Sequence, residues 1–98
     1  MNINEPEYNR RQLRLMLVAI EQYESGANNL SHLIATLEAL NSALEKPPMS
    51  WNTNFESAWG ALEDVYASML DEGLTKPNPE GTALIGASIQ KLKNLIQA

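Results

Sequence analysis

Residues 28–44, "NNLSHLIATLEALNSAL", place Leu30, Leu33, Ile34, Leu37, Leu40 and Leu44 at three- and four-residue steps. That rhythm sets all six along one side of an α-helix, as in a heptad seam, whereas a strand would need a period of two. The seam is bounded by "ESGANN" at 24–29 and "KPPMS" at 46–50, and a third break, "GLTKPNPEG", lies at 73–81. Each break combines Gly or Pro with side chains that cap helices. Four helical segments follow, at about 6–24, 29–45, 51–72 and 79–97 by these signals.

The first runs from Pro6 and sets Leu13, Met16, Leu17, Ile20 and Tyr23 on one face, with Gly26 placed to end it in a left-handed conformation. Leu15 and Val18 point elsewhere, and a helix apolar on two sides is expected to be central and to touch most of the others. The second starts at Asn28 or Asn29. In the third, Ser50 is the expected N-cap, and Trp51, Phe55, Ala58, Trp59, Leu62, Tyr66, Met69 and Leu70 keep the same spacing down to Gly73. The fourth takes Asn78 as cap and Pro79 at its first position, and buries Leu84, Ile85, Ile89, Leu92, Leu95 and Ile96. Short connections suit antiparallel neighbours, so the expectation is an all-α chain, a single domain over 1–98 built as an antiparallel four-helix bundle.

At 98 residues, 44% of them apolar and 19% charged, the chain is globular in composition and has room for one core but not for a large enclosed active site. It has no cysteine, which excludes disulfides, thiolate zinc sites and a Cys nucleophile, and fits a reducing cytoplasm. The opening "MNINEPEYNRRQLRLMLVAI" lacks the basic start and the small-residue cleavage site of a signal peptide, and no stretch is apolar enough for a membrane span.

The net charge of −5 is unevenly placed: residues 47–75 hold Glu56, Glu63, Asp64, Asp71 and Glu72 with no Lys or Arg. On a wheel of about 100° per residue, Glu56, Glu63, Asp71 and Asp64 fall at roughly 0°, −20°, 60° and 80°, beside an apolar face at roughly −160° to −40°. Glu72 falls outside that stripe, in the last turn. Surface helices ordinarily mix signs, and acids at a helix C-terminus oppose the macrodipole, so helix stability does not account for this arrangement. A solvated, solubilising face is the plain alternative. Acidic charge disfavours nucleic acid and anionic membranes as partners and favours basic proteins.

Catalytic chemistry finds no footing. A carboxylate needs burial or a close like charge to hold a proton near neutrality, and exposed helix acids have neither. Bundle metal sites use Glu-x-x-His pairs facing inward, while the single histidine, His32, follows Ser31 on the polar side of its helix. No Gly-x-Ser-x-Gly occurs, and "GTALIGAS" at 81–88 reads as helix rather than as a phosphate loop. Arg10, Arg11 and Arg14 form the one basic cluster, with Glu7 or Glu21 in reach for charge balance. The aromatic series Trp51, Phe55, Trp59 and Tyr66 reads as core, except that Trp51, at the mouth of the "KPPMS" turn, is expected to be half exposed and a contact for a partner. The reading is thus of a non-enzyme with no catalytic residue, metal or cofactor.

The order "AIEQYESGANNLSHLIATLEAL", a Pro turn, "SWNTNFESAWGALEDVYASMLDEG" and a last helix ending "KLKNLIQ" resembles the small all-helical immunity proteins of bacterial polymorphic and contact-dependent growth inhibition toxin systems. The elements that carry it are the Tyr23 to Gly26 helix end, the spacing of Trp51, Phe55 and Trp59, and "LEDVYASMLDEG" at 62–73. The resemblance implies a cytoplasmic protein that binds the toxic C-terminal domain of a cognate effector and blocks it. Such toxins are frequently nucleases with basic surfaces, and a ribonuclease is put ahead of a deoxyribonuclease. Partner-binding residues are proposed from the charge pattern and from the turn alone: Glu56, Glu63, Asp64, Asp71, Glu72 and Trp51. The expected state is a monomer, with a homodimer as the variant. The competing reading is a structural or regulatory module that self-associates through Leu15 and Val18, or acts as an adaptor.

Overall fold

A computed structural model describes residues 7–98. The described residues are all-α, with four helices: α1 (Glu7–Glu24), α2 (Leu30–Ser42), α3 (Met49–Asp71) and α4 (Pro79–Ile96). This is the class and order that the sequence predicts. The expected start at Pro6 lies outside the described residues. The chain groups into two compact units, Met1–Thr53 and Asn54–Ala98, and the division falls within α3.

In the first unit α1 packs on α2. Met16, Ile20, Leu33 and Leu37 are fully buried, and each contributes about 1.5–3 kcal/mol by leaving water. The connection is short because α1 ends in a Schellman motif: Ala27 N–H donates to the Gln22 carbonyl at 2.8 Å and Gly26 N–H to that of Tyr23 at 3.0 Å. This requires the left-handed backbone of Gly26, at φ 83°. Asn29 is the cap that starts α2, its side-chain oxygen accepting from the His32 amide at 2.8 Å.

α2 ends at Ser42, three residues before the expected end at 45, and Leu44, though buried, lies beyond the helix. Two features replace the missing turn. Lys46 adopts a left-handed φ of 47°, which costs a residue with a Cβ about 1–2 kcal/mol. Just before it, Asn9 grips the Glu45 peptide from both sides. Its amide donates to the Glu45 carbonyl and its oxygen accepts from the Glu45 N–H, both at 2.8 Å. Asn9 continues the stripe of Leu13, Met16 and Ile20 by helical spacing and is 1% exposed, so a core position of α1 is given to holding the connection that follows α2.

The third helix corrects the sequence reading at its start. Ser50 is inside the helix rather than its cap, because α3 begins at Met49 and the Pro48 carbonyl already accepts from the Asn52 amide at 3.2 Å. Trp51 is corrected with it. The indole is 3% exposed, and its Nε1–H donates to Asn41 Oδ1 at 2.8 Å. An indole buried with its one donor satisfied is a packing residue.

Leu15 and Val18 remain 49% and 44% exposed, so the second apolar side of α1 is not covered as a central helix would require. In the second unit, Asn78 caps α4 as expected, accepting from the Gly81 amide at 2.7 Å ahead of Pro79 at the first helical position. This cap contributes about 1 kcal/mol. Phe55 and Trp59 stack with ring centroids 6.5 Å apart.

Candidate functional site

The buried side of α3 is rotated from the one a wheel of its apolar residues suggests. Val65 is buried, whereas Leu70 is 61% exposed. Leu84 of α4, also expected inside, is 50% exposed. The exposure of Leu84 has a local cause: it lines an open groove of ≈ 320 Å³ that α3 and α4 leave between them.

A stop signal builds one end of that groove. Gly73, at φ 68°, lets Leu74 N–H reach back to the Met69 carbonyl at 2.8 Å, the same motif that ends α1 at Gly26. Leu74 is thereby folded against the Met69 end of the helix, and both line the groove. Along α3 the wall consists of Ala61, Asp64, Val65, Ser68 and Met69, with Glu72 just past its end, and along α4 of Glu80, Gly81 and Leu84, with Pro77 and Asn78 between. Val65, Met69 and Gly81 are buried and form the floor. Gly81 is there for close approach: a Cβ would meet Val65 Cγ1 and Pro77 Cβ at 3.2 Å each. The rim carries three carboxylates, Asp64, Glu72 and Glu80. No Lys or Arg lines it, and Lys76, in the same connection, is exposed outside the lining.

The four acids of α3 and Glu72, just past its end, are all exposed. None of them makes an ion pair among the described residues. Within α1 the acids behave otherwise, for Glu7 takes Arg10 at 3.4 Å and Arg14 at 4.0 Å. Such exposed pairs are worth at most about 1 kcal/mol, but they balance the basic cluster within its own helix, as the sequence suggests.

The structure divides the predicted acidic set differently from the wheel. Asp64 and Glu72 share the groove, two helical turns apart, while Glu56, Glu63 and Asp71 lie off it along the neighbouring face. Glu72, read as lying outside the stripe, therefore belongs with Asp64, and Glu80 of α4 joins them without having been singled out. Glu80 has a helical reason for its place, since an acid in a first turn complements the macrodipole. Asp71 and Glu72, near the opposite end of α3, are opposed by theirs. Trp51 is not part of this surface. His32 is exposed in the first turn of α2, and among the described residues no group of three or more His, Cys, Asp or Glu is disposed to hold a metal ion. No described helix is long and apolar enough to cross a membrane.

The groove's open form and mixed lining suit contact with side chains of another molecule: an apolar floor offers burial, and acceptor-only carboxylates at the rim call for donors from outside. No protein family, curated protein or solved structure matches this chain.

Proposed function

We propose that the chain is an immunity protein that binds the toxic domain of a secreted effector in the cytoplasm and covers its basic, nucleic-acid-handling surface with the acids of α3. The observation that carries this reading is the set of five exposed acids, four on α3 and Glu72 just past its end, none ion-paired among the described residues. Asp71 and Glu72 sit where the macrodipole opposes them by about 0.3–1 kcal/mol each, so their placement serves something other than the helix. A nuclease surface must be basic to hold phosphates, and an acidic partner would reach it fast and in a defined register. A ribonuclease is the first choice of target. The role is to bind and cover, without a reaction of its own.

The test is co-expression with the toxic domain encoded by the neighbouring upstream open reading frame. Reversing Glu63, Asp64 and Asp71 to Lys should abolish protection while helical content and melting temperature stay nearly unchanged. Unaltered protection with all three reversed would remove the acidic helix from the interface. The exposed Leu15 and Val18 favour a second reading, a module that self-associates through α1. It predicts a concentration-dependent mass in sedimentation and no neutralised neighbour.

A further inference from the structure

We infer that the groove between α3 and α4 is a seat for one large apolar side chain of a partner protein, presented on an amphipathic helix with Lys or Arg on either side of it. The inference rests on α3 being the partner-facing helix and names what its groove takes. Three independent features converge on that occupant. The first is the floor: Val65, Met69 and Gly81 are buried, yet they line ≈ 320 Å³ of open space. That volume is at the lower end of the range for ligand pockets, about 300–1,000 Å³, and suits a single anchoring side chain. The second is the pair of leucines left in solvent at its edge. Leu74 and Leu84 are 38% and 50% exposed, and an arriving apolar anchor would cover both. The third is charge. Asp64, Glu72 and Glu80 come from both helices, so cations on both flanks of the anchor would meet carboxylates while the anchor enters between them.

The complement of this pattern is a basic amphipathic helix, which lays apolar residues at helical spacing into a groove and holds its charges at the rim. A basic surface alone would use Glu56, Glu63 and Asp71 equally well and leave the groove empty. An apolar surface alone would gain nothing from the three carboxylates. The two requirements together select the basic helix with an apolar anchor.

The experiment uses the full chain, isotope-labelled for amide NMR, and a short helical peptide that carries leucines along one face and lysines beside them. Saturable shifts centred on Val65, Met69, Leu74 and Gly81 are expected. Ser68→Arg, which places a bulky cation in the groove from an exposed helical position, should weaken binding roughly ten-fold or more. Neutralisation by Glu56→Gln, Glu63→Gln and Asp71→Asn, measured at a salt concentration that screens exposed charges, should weaken binding less than the same neutralisation of Asp64, Glu72 and Glu80. The same peptide with glutamates in place of lysines should give no shifts. Shifts confined to the Glu56, Glu63 and Asp71 face, or equal binding by Ser68→Arg, would overturn the groove while leaving the acidic helix as the partner-facing one. Equal binding of the glutamate peptide would overturn the role of the carboxylates, and absence of shifts with the lysine peptide would overturn the proposal itself. Loss of the broader functional reading is registered separately, by protection in co-expression.

Discussion

Asn9, Asn29 and Asn41, in the unit Met1–Thr53, turn their polar atoms inward onto the chain, whereas Asp64, Glu72 and Glu80, in Asn54–Ala98, hold theirs out around an apolar groove. The two groups of side chains are similar in size and opposite in use. An asparagine amide carries donor and acceptor together, so it can close both halves of a peptide, as Asn9 does with Glu45. An ionised carboxylate accepts only. A rim made of carboxylates has nothing to exchange among its own members, and its natural complement is a donor brought by another molecule. These asparagines serve the fold, and the three groove carboxylates are left available.

The strongest way to break the first side of that comparison is Asn9→Ala. It strands the part-buried N–H and carbonyl of Glu45 beside the left-handed Lys46. We expect a loss of about 1–3 kcal/mol in urea unfolding, large for a single residue on a scale where whole domains hold roughly 5–15 kcal/mol. A cost near that of an ordinary surface Asn→Ala would mean that the connection after α2 holds without the clamp.

The second unit should respond in the opposite direction. Gly86 is exposed in the interior of α4, and a Cβ there meets nothing within 4 Å. Gly86→Ala should raise stability by about 0.5–1 kcal/mol, read from the same unfolding curves. A loss would reveal a packing constraint on that face.

A finer test returns to the first unit. Burial raises the Tyr23 phenol pKa above its ordinary value of 10.0, so the fold favours the protonated form. Its contribution is complete below pH 10 and is lost as pH climbs through the raised value. Tyr23→Phe should flatten that alkaline decline in stability.

Much of this was legible in the sequence, and what was not has identifiable reasons. Helix stops and starts are local, so Gly26, Gly73, Asn29 and Asn78 announced themselves. Ser50 failed as a cap because a proline carbonyl two residues upstream had already opened the helix. Trp51 was misplaced because its burial depends on Asn41, a partner from another segment. Asn9 is visible in hindsight as the polar member of an apolar stripe, but its partner lies 36 residues away. The groove could not be read from one helix. A wheel of α3 alone centred its buried side between Trp51 and Leu70, and only the presence of α4 makes Val65 a groove floor and Asp64, Glu72 and Glu80 one rim.

The central claim, that the acids of α3 engage a basic partner, is most directly tested by the rate of association with the purified toxic domain as a function of ionic strength. The wild-type rate should fall steeply as salt rises, and reversal of Glu63, Asp64 and Asp71 to Lys should slow it at low salt and remove most of that slope. A wild-type rate indifferent to salt, or a reversed variant that associates as fast with the same slope, would contradict the account.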